Sequence, residues 1–464
     1  MISVDALPDD VLIAIFDQYV NGDVLQGPIN TGKEWQPLVH VCRRWRSIVF
    51  GSPRHLKLQL FCTERTRARD MLDVWPALPL AIWCDRIKGV DNRIGGVDNL
   101  IAALERRERV CQIALANVQS SDLEIILEAM QQPFPELTRL WIWSDVSVVP
   151  DSFMGGSAPR LEFLQLHGIP FPGLRKLLLS ATHLVRLLLI NIPHSGYISP
   201  DMMATALSTL TRLEDLWLQF QSPRSCPDQA SRRPPLSTHS VLPVLRAFRF
   251  KGVAEYLEDL VAHINAPRLN ELNITFFNDI VFDTPQLMQF ISRAPTSRTL
   301  EKANITLQNR GPSLDFSSRT SGNGRVYVEI LCQGLDWQLS SLEQVCTSCL
   351  PPLSTLEDLY IHDHRYSQPD WEHDIENGLW LQLLHPFTAV KNLYLGEEIA
   401  LLIGPALQEL SEGRTTEVLP ALQNIFLKGL EPSGPVQEGI RQFVASRQVT
   451  SRPIAVSIWD DSGS

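Results

Sequence analysis

A chain of 464 residues, 44% hydrophobic and 20% charged, has the length and apolar content to bury an ample core. A formal charge of −11 argues against general nucleic-acid binding. No run of about twenty apolar residues could span a bilayer, Asp5, Asp9 and Asp10 interrupt any secretory h-region, and eight scattered cysteines suit reduced thiols in the cytosol or nucleus.

The first element expected is a helix over Leu7 to Val20. Pro8 suits a first helical turn, and Asp9 and Asp10 complement the positive end of the helix dipole. Val11, Leu12, Ile15, Phe16 and Tyr19 then fall on one helical face. After a Gly-rich loop, Asn21 to Glu34, a second amphipathic stretch carries Leu38, Val41, Cys42, Trp45, Ile48 and Val49. The Leu7-Pro8-Asp9-Asp10 start, joined to Trp35, Leu38 and the run Val41-Cys42-Arg43-Arg44-Trp45, resembles the F-box of ubiquitin-ligase receptors, most closely its fungal (basidiomycete) type. The resemblance covers about Val4 to Leu60, and the loop is longer than the family's usual connection. It implies a three-helix module over 1–60 that binds the Skp-family adaptor, and through it a cullin. The residues implied in that contact are Leu7, Pro8, Leu12, Ile15, Phe16, Trp35, Leu38, Val41 and Trp45, some of which hold the helices together instead. Three short helices enclose little core, so an apolar face should stay open for a partner.

Residues 61–109 read as a linker or first irregular repeats. The run His55 to Phe61 alternates as a strand does, and a second apolar run ends at Asp85. From Val110 the pattern apolar-x-x-apolar-x-apolar recurs, beginning at Val110, Leu137, Leu161, Leu184, Leu213, Leu245, Leu269, Leu300, Leu356, Val390 and Leu422. Residues 325–331 supply a candidate strand in the longest gap. Helix-like segments lie between the copies, several opening on Ser, Asp or Thr. This strand-plus-helix period resembles leucine-rich repeats, without the Asn usual in that family. The expected fold is therefore an α/β solenoid: an F-box followed by irregular leucine-rich-repeat-like units over 110–464. Two stretches rich in Pro, Ser, Gly and Arg, 221–240 and 308–325, read as mobile loops.

Candidate chemistry is sparse. Gly27 to Glu34 imitates a phosphate-binding loop, but Glu34 stands where magnesium needs a hydroxyl, and the loop follows a helix. Cys346 and Cys349 form a C-x-x-C that also reads as the buried face of a repeat helix. A metal- or redox-active enzyme built on these cysteines is the weaker alternative; no catalytic residue, metal or cofactor is assigned. The function implied is a non-catalytic substrate receptor of a cullin–RING ligase, holding a protein target on the repeats, or else an interaction scaffold outside any ligase. No nucleic-acid or membrane partner is expected. In each strand the residue between the last two apolar positions faces away from the core. Those positions hold Trp141, Gln165, Leu188, Trp217, Arg249, Asn273, Asn304, Tyr360, Tyr394 and Phe426. The rings Trp141, Trp217, Tyr360, Tyr394 and Phe426 are the expected target-binding residues, with cross-strand stacking as the competing role.

Overall fold

A computed structural model of the chain describes residues 7–21, 35–51, 58–62, 67–74, 79–85, 96–144, 148–225, 240–277, 284–295, 300–318, 324–351, 353–363, 376–411, 418–428, 435–449 and 453–459. The chain divides into two compact units, Met1–Tyr197 and Ile198–Ser464.

The first unit opens with α1 (Asp9–Asn21), α2 (Trp35–Val41) and α3 (Arg43–Gly51). The Arg44 guanidinium ties α3 to the start of α1 by donating to the Leu7 carbonyl and the Asp9 carboxylate. The Cys42 sulfur accepts from the Trp45 backbone N–H at 3.4 Å and so caps α3 where α2 ends. Strand–helix units follow: β1 (Leu58–Phe61), α4 (Ala68–Val74), β2 (Leu80–Asp85), α5 (Gly96–Leu104), β3 (Val110–Ala116), α6 (Ser120–Ala129), β4 (Arg139–Trp143), β5 (Phe163–His167), α7 (Leu174–Ser180) and β6 (Arg186–Ile192). These six strands are parallel and stand side by side in chain order. Repeat-like pairing therefore begins at β1, upstream of Val110.

The second unit continues with α8 (Pro200–Leu207), β7 (Asp215–Phe220), β8 (Ser240–Val241), β9 (Ala247–Gly252), α9 (Ala254–Val261), β10 (Ile264–Asn265), β11 (Glu271–Phe277), α10 (Pro285–Arg293), β12 (Lys302–Leu307), β13 (Ser313–Ser317), β14 (Arg325–Leu331) and α11 (Leu335–Gln344). A π-helical turn, Val345–Cys349, leads to β15 (Asp358–Asp363), α12 (Asn377–Leu384), β16 (Asn392–Leu395), α13 (Glu397–Ser411), β17 (Asn424–Leu427), α14 (Pro435–Val449) and β18 (Ala455–Ile458). Strands β8 and β10 form a small separate pair.

The apolar pattern explains the repeat. The leading positions Leu137, Leu161, Leu184, Leu213, Leu245, Leu269, Leu356 and Leu422 are all buried. Each also donates its N–H to the carbonyl three residues back, at 3.0–3.4 Å. The two following apolar positions, such as Leu140 and Ile142 or Leu393 and Leu395, are buried too. Successive strands thus bury one face and leave the intervening residues on the other. Together these features make a solenoid-like α/β repeat fold.

One region departs from the expectation. Residues 308–325 are not a loop throughout, because they contain β13, with Leu314 and Phe316 fully buried. The order within the sheet is β11-β14-β13-β12-β15. The chain skips two places to form β12, then returns through two antiparallel pairings, β12–β13 and β13–β14, so that β14 lies parallel to β11. Of the other predicted loop, 226–239 lie outside the described residues, while Pro223–Ser225 is a 3-10 turn with Ser225 buried.

Candidate functional site

The N-terminal helices sort the residues implied in adaptor binding. Leu12, Phe16 and Leu38 are buried with Val39, Ile48 and Val49, so they form the small core. Trp45 is half-buried, its ring 4.7 Å from that of Phe16. Leu7 is half-buried, and Pro8 is exposed. Ile15 and Val41 are exposed at 47% and 58%. The Trp35 side chain and the Gly27–Glu34 motif lie outside the described residues. Helix α1 therefore has two apolar stripes: Leu12 and Phe16 face inward, while Val11, Ile15 and Tyr19 are exposed at four-residue spacing.

On the open sheet face of the first unit, three rows run across the strands. They are Gln112-Arg139-Phe163-Arg186, then Trp83-Ala114-Trp141-Gln165-Leu188, then Ala116-Trp143-His167-Ile190. Trp83 and Trp141 sit on either side of β3 and still meet edge to face, with ring centroids 6.0 Å apart. They can do so because Ala114, on the strand between them, carries only a methyl group. Ring contacts continue from Phe61 to Trp83 at 6.3 Å, from Trp141 to Trp143 at 6.5 Å, and from Trp143 to His167 at 5.0 Å. Trp141 was expected on this face; Phe61, Trp83, Trp143 and His167 were not. The available signal was the alternation itself, which places residues two positions from each middle site on the same face.

On the open face of the second unit, Trp217 lies beside Arg249, whose guanidinium is 5.8 Å from the indole centroid. Arg249 bonds Asp215 on one neighbouring strand and Glu271 on the other, both at 3.2 Å. Further along, Arg325 forks onto Asp315 through two 2.9 Å bonds. The Thr275 hydroxyl donates to Glu329 at 3.1 Å.

Tyr360, Tyr394 and Phe426 occupy one row on β15, β16 and β17. Their rings stack in parallel, 4.1 Å and 4.4 Å apart, tilted by 4° and 9°. Trp459 meets Tyr360 and Tyr394 edge to face, at 6.0 and 5.5 Å. The Lys302 ammonium is 4.2 Å from the Tyr360 ring centroid. One row lower, the Asn424 amide donates to Asn392 at 2.7 Å, and the Asn392 amide to Asp358 at 2.6 Å. Both faces of the Tyr394 ring are thus taken by its neighbours. These rings bind one another first, which is the competing role named for them above.

Cys346 and Cys349 are buried in the π-helical turn, where the Thr284 hydroxyl donates to the Cys349 sulfur at 3.0 Å. Burial pushes the Cys349 thiol up to about 11 and raises that of Cys346 as well. Both are protonated near neutral pH and so are poor nucleophiles. Among the described residues, no three His, Cys, Asp or Glu side chains group as metal ligands, and no helix is long and apolar enough to cross a membrane.

No protein-family model matches the chain, and no curated protein matches it. Among solved structures, it is similar to the crystal structure of the leucine-rich repeat-containing protein LegL7 from Legionella pneumophila. Identity is 11% over 84% of this chain and 97% of that one, with a TM-score of 0.26. The repeat architecture rests on the strand order and register above, not on this likeness.

Proposed function

We propose that the chain is a non-catalytic receptor whose N-terminal helices dock the Skp-family adaptor of a cullin–RING ubiquitin ligase and whose repeats hold a protein target. The observation that carries the reading is the second apolar stripe of α1. Val11, Ile15 and Tyr19 are left exposed on a helix that opens with the F-box-like Leu7-Pro8-Asp9-Asp10 start. Three large apolar side chains in a line on solvent favour a partner that covers them. Burying one such side chain contributes about 1.5–3 kcal/mol, and interface energy concentrates in a few anchors of this kind.

The test is co-purification of the intact chain with a Skp-family adaptor. Ile15→Asp leaves the inward stripe untouched, so the helices should stay folded by circular dichroism while adaptor recovery falls roughly tenfold or more. Undiminished recovery would remove the adaptor reading. Capture of the adaptor without a cullin would favour the second reading, an interaction scaffold that works outside any ligase.

A further inference from the structure

The open face of the second unit shows how this protein treats a cation on its sheet. Arg249 is held by Asp215 and Glu271, and Arg325 by Asp315. Lys302 and Lys428 sit over the rings of Tyr360 and Trp459, and Lys251 over that of Phe277. The first unit breaks this habit. Arg139 and Arg186 flank Phe163 in one row, and both are half-buried. Among the described residues, neither side chain forms a hydrogen bond, an ion pair or a cation–π contact. In the next row, the Trp141 indole N–H is buried and also lacks a hydrogen-bond partner among the described residues. Burial draws the Arg139 guanidinium below its ordinary value; Glu162 opposes that shift and the charge of Arg186 adds to it. A half-buried cation beside a like charge is costly unless something pairs with it.

We propose that this face binds an acidic segment of a protein target, one carboxylate on Arg139, another on Arg186, and an adjoining apolar side chain against Trp141 and Trp143. The proposal rests on the receptor reading above and names the chemistry of what the receptor holds. The two guanidinium groups and the Trp141 indole N–H are all donors, and an ionised carboxylate is purely an acceptor, able to take the arginine fork in two parallel bonds. Spacing favours two carboxylates over a single compact anion. Arg139 and Arg186 lie two strands apart, roughly 10 Å at the usual strand separation. A polyproline-II turn carries residues i and i+3 on one side at a separation of about 9 Å. The match is therefore an unfolded acidic segment with Asp or Glu three residues apart.

Fluorescence anisotropy tests this, using the full chain and a short fluorescein-labelled peptide containing Glu-Pro-Leu-Glu. Companion peptides carry Gln-Pro-Leu-Gln or two phosphoserines in place of the acids. The Glu peptide should bind, the Gln peptide should not, and rising salt should weaken the complex. Arg139→Gln and Arg186→Gln should each cost roughly tenfold in affinity, while Arg160→Gln, which breaks a surface pair with Glu136, should cost nothing. Arg139→Lys keeps the charge but loses the fork and should bind weakly. The melting temperatures of the Gln variants should match or exceed the parent's, since no hydrogen bond or ion pair among the described residues is lost. Equal binding of the Glu and Gln peptides, affinity unchanged in both arginine variants, or binding of the phosphoserine peptide alone would overturn the assignment. Adaptor capture from the same preparations separates the two readings: capture without acid-dependent peptide binding removes this inference and leaves the receptor reading standing.

Discussion

Replacing Tyr394 by serine removes the middle ring of a three-ring stack, and the cost can be built from its neighbours. Tyr394 touches Tyr360 at 4.1 Å on one face and Phe426 at 4.4 Å on the other. Its edge also meets Trp459 at 5.5 Å. Each aromatic pair contributes about 0.5–1.5 kcal/mol beyond area burial, so the two stacked pairs and this edge-to-face pair give about 1.5–4.5 kcal/mol. Loss of the half-buried ring adds about 1 kcal/mol, for a total near 2.5–5.5 kcal/mol. Phe426→Ser loses one stacking pair and should cost about half as much. Tyr360→Ser loses one stack, the edge contact with Trp459 at 6.0 Å and the Lys302 contact, the last worth about 0.5–1 kcal/mol at an exposed site, and should fall between the two. Tyr394→Phe keeps both ring faces and should be nearly neutral. A chain of two units need not unfold in one step, so the proper readout is hydrogen exchange of the β15, β16 and β17 amides. The variants should lose protection in the order Tyr394→Ser, Tyr360→Ser, Phe426→Ser. A loss at Tyr394 no larger than at Phe426 would refute the stacking argument. Changing all three rings together should therefore destabilise the second unit, whereas a face kept free for a target would lose binding alone.

Two further outcomes follow from local geometry. The Cys349 thiol is raised from 9.0 to about 11 chiefly by burial, so the folded chain holds this proton more tightly than the unfolded one. The resulting stability is complete below about pH 9 and is lost as pH rises toward about 11. Urea midpoints across that window should fall more steeply for the parent than for Cys349→Ala, and parallel slopes would show the thiol to be uncoupled from folding. Gly311 joins β12 to β13 at φ +134°, where an added Cβ would lie 1.8 Å from the Ile330 carbonyl oxygen. Gly311→Ala should cost about 3 kcal/mol or more in unfolding free energy, and a variant as stable as the parent would mean that this hairpin can move aside.

The sequence by itself determined the alphabet of the fold. Leu140 and Ile142, or Leu393 and Leu395, alternate because one strand face is buried, and that signal is local. The outward positions of Trp141, Trp217, Tyr360, Tyr394 and Phe426 followed from the same alternation. So did the candidate strand at 325–331, which is β14. What residues do to one another across strands is not local, and only the tertiary structure decided it. Ser313–Ser317 reads as loop because Pro, Ser and Gly surround it; its burial as β13 depends on β12 and β14 arriving on either side. Leu12 and Ile15 are equally apolar on one helix, and only the packing of α2 and α3 makes the first core and leaves the second exposed. The same holds for charge. Arg249 and Arg139 both lie on the outward side of a strand, yet Arg249 finds Asp215 and Glu271 within ion-pair reach while Arg139 stands between Gln112 and Phe163 in its row. Neighbours on adjacent parallel strands are more than twenty residues apart in the chain, so a residue's partners are set by register, which side-chain periodicity along a single strand does not encode.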